Sequence, residues 1–263
     1  MQPRINVAIK AARAAADYIV HVQEKLLFDK EQGQQPDQVY QTVCQGAEKT
    51  IIHHLEKAYP NDTITARLAG SVQKGDEGEW IIDTIQGQYL FTRGLSGHCI
   101  TMSYVVAGKV EHAVIVNPMT KDEYFASKGR GAYLNNSRIR TSSARDIHNT
   151  LVAAQFPSTD KTRPSAAGQF SIFSQLAEKG ARIVSQDSPA IQIANVAAGR
   201  LDAVWGIKLY AWEMQAPLFI AKEAGCIFSD FNGSPSIEET GNLLCANPRL
   251  FKSLLPIVNK NLS

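Results

Sequence analysis

Residues 80–91, WIIDTIQGQYLF, predict a buried strand that carries an aspartate, Asp83, into a short loop containing Gly87. The run of large apolar residues is typical of a strand inside a sheet. An acid at the end of such a strand is well placed to hold a metal ion against a phosphate group. The second acid that a metal site needs is missing, because Gln86 stands at that point. The stretch therefore predicts a metal site or a site that has lost its metal.

The composition of the whole chain is that of an ordinary globular protein. Its 263 residues are 44% hydrophobic and carry a formal net charge of +2. This length allows one large domain or two closely packed smaller ones, and this charge gives no strong signal for direct nucleic-acid binding. The N-terminus lacks the layout of a signal peptide, and no run is apolar enough to span a bilayer. We therefore expect a cytoplasmic protein that does not associate with membranes.

The four cysteines are far apart in the chain and form no CxxC pair; they are Cys44, Cys99, Cys226 and Cys245. Most have apolar or small neighbours, which favours buried free thiols. No cysteine or histidine pair has the spacing of zinc ligands, so a structural zinc site is not expected.

The hydrophobic pattern divides the chain into two parts. In residues 1–145, two amphipathic helices are followed by apolar strands with tight connections, which favour antiparallel hairpins. The second helix is expected over residues 43–58, after a polar loop at residues 28–41. In residues 146–263 strands alternate with helices, which indicates an α/β layer. We expect the two parts to form one compact unit.

Two further stretches join the first in a recognisable order: IANVAAGRLDAVWGI at residues 193–207 and YAWEMQAPLFIAKEAGCIFSDFNG at residues 210–233. With them, the chain resembles the inositol monophosphatase family over nearly its full length, and most closely the bacterial SuhB-like branch of that family. The resemblance implies an α/β (α+β) fold, a layered αβαβα sandwich. It also implies a homodimer and a Mg²⁺-dependent site for the hydrolysis of small phosphate esters.

The metal ligands of the family are largely replaced in this chain. The family supplies them from a Glu-Glu pair and from the patterns Asp-Pro-x-Asp-Gly-Thr and Trp-Asp-x-Ala-Ala. The four principal positions correspond here to Arg67, Asp83, Gln86 and Glu213. These side chains sum to about one negative charge, too little to hold two divalent ions. We therefore expect vestigial metal positions, no intact catalytic group and no resident cofactor. If activity remains, Mg²⁺ would be held by Asp83 and Glu213 only.

Two alternative arrangements are expected in the space that metal ions occupy in the family. Arg67 is expected to fill it through an ion pair with Asp83 or with Glu213. Alternatively, Arg67 and the backbone N–H groups of Gly87 and Gln88 would hold a phosphate or sulfate without metal.

Three functions follow from this pattern. The first is a catalytically inactive scaffold, and the resemblance names the Nus transcription antitermination factors as partners. The second is a Mg²⁺-dependent inositol-1-phosphate phosphatase with a rearranged site. The third is a metal-free sensor of a small phosphate compound.

A basic segment lies at residues 121–145 and contains six cations: Lys121, Lys128, Arg130, Arg138, Arg140 and Arg145. It is predicted to be the solvated surface of a hairpin. A surface that contacts a partner or RNA is the alternative, although the sequence shows no aromatic platform beside it.

Overall fold

The computed structural model describes residues 2–28, 36–155, 166–186 and 188–262. The helices within these ranges are α1 (Pro3–Phe28), α2 (Pro36–Ala58), α3 (Gln88–Thr92), α4 (Ala166–Glu178), α5 (Pro189–Ala197), α6 (Ala211–Glu223), α7 (Ile237–Thr240) and α8 (Pro248–Leu262). The strands are β1 (Thr63–Ala66), β2 (Gly70–Gln73), β3 (Glu79–Gln86), β4 (Cys99–Val106), β5 (Lys109–Val116), β6 (Glu123–Ser127), β7 (Ala132–Leu134), β8 (Ser137–Ile139), β9 (Leu151–Ala154), β10 (Arg182–Val184), β11 (Ala203–Gly206), β12 (Ile227–Ser229) and β13 (Leu243–Ala246).

The first eight strands form one sheet in the order β2-β1-β3-β4-β5-β6-β7-β8. From β3 to β8 each strand pairs antiparallel with the next in sequence, which confirms the predicted hairpins. The β1–β3 pair is parallel. Helices α1 and α2 pack together on one face of this sheet; in the first hydrophobic core α1 lies mainly against β5 and α2 against β3.

The other five strands form a second sheet in the order β10-β9-β11-β13-β12. Helices α4 and α8 cover its outer face. Helices α5 and α6 lie between the two sheets and contact strands of both parts in a common core. The layers are therefore helix, sheet, helix, sheet, helix, which confirms the predicted αβαβα sandwich. The division at residue 145 stays a prediction, because α5 and α6 join the two parts.

Two predicted boundaries are wrong. Helix α2 begins at Pro36, so the part of the predicted loop at residues 36–41 is helical; the part at residues 29–35 lies outside the described residues. Proline at the first helical position and Asp37 in the first turn are both favourable helix starts. Strand β3 does not end at Asp83, because its pairing with β4 continues to Gln86.

The side chains of all four cysteines are buried, and none forms a disulfide, as predicted. Within the described part of the chain, no helix combines the length and the apolar character that crossing a membrane requires.

Candidate functional site

A β-bulge in β3 brings Asp83 and Gln86 onto one face of the sheet. Asp83 lies opposite Thr101 of β4 and Gln86 lies opposite Cys99, so three steps along β3 match two along β4. The extra residue interrupts the alternation of side chains between the two faces. Accordingly, Gln86 Nε2 lies 3.4 Å from Oγ1 of Thr101, the same residue that Asp83 faces.

Arg67 lies directly against this face. It follows β1, and its backbone N–H donates to the carbonyl of Ile82 at 3.0 Å. The guanidinium Nη1 lies 3.5 Å from Asp83 Oδ1 and donates to the Tyr40 hydroxyl at 3.0 Å. The Tyr40 hydroxyl in turn donates to the carbonyl of Ile85 at 2.9 Å. The predicted Arg67–Asp83 ion pair is therefore present, and a tyrosine fixes the arginine in position.

A buried carboxylate, Glu48, holds the loop that carries Arg67. Its two oxygens accept the backbone N–H groups of Leu68 and Ala69 at 2.9 and 3.0 Å. Sequence reasoning missed Glu48. The signal that could have found it is an acid on the apolar face of α2, four positions before Ile52.

The start of α6 reaches the same place. The backbone carbonyl of Trp212 accepts a hydrogen bond from Gln86 Nε2 at 3.2 Å. The ring centre of Trp212 lies 5.9 Å from the guanidinium carbon of Arg67. The neighbouring Glu213 accepts the backbone N–H of Tyr210 at 2.8 Å, so its carboxylate caps the first turn of α6.

Gly87 and Gln88 mark the start of α3, which has only five residues. Gly87 has a φ of 93°, a conformation that favours glycine. The side-chain amide of Gln88 donates to Asp37 Oδ1 at 2.8 Å and ties α3 to the first turn of α2. Anion binding by these residues stays a prediction.

The electrostatics of the cluster are dominated by burial. Asp83 is 3% exposed, and burial raises the pKa of its carboxyl above the ordinary 3.8, although the positive charge of Arg67 opposes the shift. Burial also raises the pKa of the nearby Cys44 thiol to about 12. Among the described residues, Asp83 Oδ2 and Gln86 Oε1 have no hydrogen-bond partner. Two acceptors are thus buried without a donor.

This set of donors does not fit a magnesium site. Mg²⁺ requires six oxygen ligands and is held in proteins by carboxylates that offset its charge. Around β3 the cluster offers one carboxylate and one neutral amide oxygen, and the Arg67 cation lies 3.5 Å from that carboxylate. The described ranges contain no group of three or more His, Cys, Asp or Glu side chains able to hold a metal ion.

The raised pKa of Asp83 predicts a pH dependence of stability. Because the folded protein binds this proton more tightly than the unfolded chain, the contribution of Asp83 is largest below pH 3.8 and declines as the pH rises through the folded-state pKa. An Asp83→Asn variant lacks this decline. We expect the variant to gain stability relative to the parent over that window, as measured by urea unfolding at a series of pH values. A difference in stability that stays constant with pH would contradict this prediction.

Comparisons with known proteins identify the family and the fold of this chain. The family model described as "Inositol monophosphatase family" matches residues 1–263. The protein called Nus factor SuhB in Pseudomonas aeruginosa is 33% identical over 265 residues, which cover 100% of this chain and 98% of that protein. Nus factor SuhB of Escherichia coli K12 is 33% identical, with coverages of 100% and 98%.

Solved structures show the same fold. The extragenic suppressor protein suhB of Bartonella henselae has a TM-score of 0.87 at 23% identity, over 99% of this chain and 100% of that one. An IMPase of Thermotoga maritima has a TM-score of 0.80 at 26% identity, over 98% of both chains.

Proposed function

The chain belongs to the inositol monophosphatase family, and we propose that it is a member that binds a partner without hydrolysing phosphate esters. The observation that carries this proposal is the ion pair between Arg67 and Asp83. The ion pair places the Arg67 guanidinium beside Asp83, the one acid that residues 83–86 retain from the family pattern Asp-Pro-x-Asp. A Mg²⁺ ion bound to Asp83 would then lie next to a fixed positive charge, which is strongly unfavourable at a partly buried site.

The other substitutions support the same proposal. Gln86 contributes no charge, and its amide is held by Trp212 and Thr101. The Glu213 carboxylate caps a helix, a role that stabilises α6 whether or not a metal is present. At the four positions we take as vestigial metal positions, one cation, two acids and one neutral amide sum to about one negative charge.

The names of the relatives support a choice of partner. Two proteins that are 33% identical to the whole chain are called Nus factors. We infer that this chain acts as a homodimeric scaffold in the cytoplasm and binds factors of transcription antitermination. The inositol monophosphatase fold would then supply a rigid surface.

A second candidate function is a metal-free sensor of a small phosphate compound. It is favoured by the exposure of the Arg67 side chain, 35% of which is accessible beside Trp212. A partly exposed guanidinium is a favoured ligand of a phosphate group in the absence of metal. Sensing would show as stabilisation by inorganic phosphate without Mg²⁺.

The first test is turnover of inositol 1-phosphate by the purified chain at millimolar Mg²⁺. We expect no release of phosphate above a buffer blank, because several groups that such hydrolysis needs are replaced at once and each typically contributes orders of magnitude in rate. Alkaline phosphatase in the same buffer shows that released phosphate is detected. A Mg²⁺-dependent rate that disappears in the Asp83→Asn variant would overturn the proposal and make the chain a phosphatase with a rearranged site.

The binding half of the proposal is tested separately by co-elution of the chain with purified Nus factors in gel filtration. Co-elution of both wild type and the Asp83→Asn variant supports a scaffold that works without the old metal position. Absence of any complex with these factors would remove the proposed partner.

A further inference from the structure

A cavity of about 500 Å³ lies between the β6–β7 hairpin and the first turn of α1. It contains none of the residues of the Arg67–Asp83 cluster. Its lining combines apolar side chains, Ile5 and Phe125, with polar ones, Ser127, Arg130 and Asn136. This volume is in the usual range of small-molecule sites, which also combine an apolar wall with a few polar groups.

One wall of the cavity is aromatic. Phe125 of β6 lies directly opposite Tyr133 of β7 in the sheet. The two rings are nearly parallel, at an angle of 8° and a distance of 5.3 Å between their centres. Because both residues belong to the segment at residues 121–145, the aromatic platform that its sequence did not show is present in the structure. Phe125 is part of the first core, which holds this wall in place.

The turn that carries Arg130 is fixed by a single carboxylate. The backbone N–H groups of Gly129 and Gly131, on either side of Arg130, both donate to Glu223 of α6 at 2.9 Å. The two glycines have φ values of 69° and 80°, which other residues rarely adopt. The backbone on both sides of Arg130 is therefore held in place from α6.

The charge of Arg130 is not neutralised within the described residues. Lys128, two positions before it, is paired with Glu111. No acidic side chain of the described ranges lies within ion-pair distance of the Arg130 guanidinium, and Glu223 is occupied by the two backbone N–H groups. An arginine in this state presents five N–H donors to an incoming anion.

Further hydrogen-bonding groups line the same space. The hydroxyl of Ser127 lies 2.9 Å from Nδ1 of His112, its cross-strand neighbour, and this contact fixes its position. Burial lowers the pKa of His112, so the ring is neutral near pH 7 and adds no charge. The Asn136 amide supplies both a donor and an acceptor.

We propose that this cavity is a binding site for a small aromatic anion, whose ring packs against Phe125 and Tyr133 and whose anionic group binds Arg130. A nucleoside monophosphate has this chemistry, and so does one nucleotide at the end of a strand. Stacking on aromatic side chains is tolerant of the base, so the phosphate and one ring are the recognised parts.

The test is calorimetric titration of the full chain with adenosine 5′-monophosphate, adenosine and inorganic phosphate, without metal. We expect saturable binding of the nucleotide and at least tenfold weaker binding of either part alone. Arg130→Gln should weaken nucleotide binding tenfold or more, since a charge-assisted hydrogen bond is lost. Arg140→Gln is the matched control, because it removes one exposed charge from the same segment outside the cavity; its effect should stay within twofold.

Two more variants test the aromatic wall and the independence of the cavity from Arg67. Tyr133→Leu should weaken binding of the nucleotide at least fivefold and should have little effect on binding of inorganic phosphate. Arg67→Gln should leave nucleotide binding unchanged, so this proposal and the sensor function at Arg67 can fail independently.

The proposal is overturned if no nucleotide binding is seen, if Arg130→Gln and Arg140→Gln have equal effects, or if Arg67→Gln abolishes binding. A short oligonucleotide that binds more tightly than the monophosphate, with the same loss in Arg130→Gln, would identify a strand end as the source of the ligand.

Discussion

Replacing Asp62 by asparagine is expected to lower the free energy of unfolding by about 3–5 kcal/mol, the usual cost of breaking a buried ion pair. Asp62 follows α2 and is fully buried. Its Oδ2 is paired with Arg4 and accepts the indole N–H of Trp80 at 2.9 Å, while its Oδ1 accepts the hydroxyl of Tyr104 at 3.2 Å. No single oxygen of an amide replaces these three contacts.

Arg4 makes the loss larger, because its guanidinium cannot turn towards solvent without breaking further contacts. Its carbon lies 4.3 Å from the ring centre of Tyr59 and 4.1 Å from that of Tyr104, in the range of cation–π contacts. Removing the charge of Asp62 leaves this cation between two rings without its main counter-ion. The network joins the start of α1 to β3 and β4, so the first core is weakened as a unit.

Glu77→Gln is the matched control for this prediction. Glu77 is the second acid near Arg4, at 3.3 Å, and its side chain is 53% exposed. Exposed ion pairs contribute at most about 1 kcal/mol, so the free energy of unfolding of this variant should be close to that of the parent. Urea unfolding followed by tryptophan fluorescence measures both changes. Equal effects of the two substitutions would show that the Asp62 network does not stabilise the fold as described.

The second large effect is expected when carboxylates are returned to the candidate site. A triple variant, Arg67→Glu, Gln86→Asp and Glu213→Asp, restores the acids that the family patterns imply around Asp83. Without metal, several acids then share a buried site, and we expect a loss of several kcal/mol in stability from their repulsion and burial. With Mg²⁺ at about 100 times its dissociation constant, the free energy of unfolding of the variant should rise by about 2.7 kcal/mol.

The response to Mg²⁺ separates the repaired site from the present one. The parent chain should show the same unfolding midpoint with and without the ion. The single Arg67→Gln variant removes the cation but adds no carboxylate, and it should also show no response. If the parent itself gains stability in Mg²⁺, the four positions are not vestigial and the proposed function fails with them.

The fold could be predicted from the sequence because its signals are local. Apolar periodicity and the turn residues between strands were sufficient for the hairpins of β4 to β6 and for the alternation after residue 145. The two boundary errors have different causes: the start of α2 carried local signals, Pro36 and Asp37, that the polar pattern of residues 28–41 masked, whereas the end of β3 is set by a tertiary contact. The pairing of Gln86 with Cys99 extends β3 past the acid at Asp83, and no residue type announces the bulge between them.

The site could be predicted only in part. The family motifs predicted that Arg67 pairs with Asp83 or with Glu213, since all three occupy positions of metal ligands in the family. They could not show that Tyr40 and Glu48 of α2, the helix that precedes β1, hold the arginine and its loop. Nor could they show that Glu213 caps α6, because an acid at that helix position serves a metal and a backbone N–H equally well.

The reactivity of the four buried thiols can show which part of the folded chain opens to solvent. Cys44 lies in the helical layer, Cys99 in the first sheet, and Cys226 and Cys245 near the edge of the second. A thiolate must reach solvent before it can react with a reagent such as an aromatic disulfide, so each modification rate follows the frequency with which its own layer opens. Mass spectrometry of partly modified protein would then show which layer of the sandwich opens first, without adding a label or changing a residue.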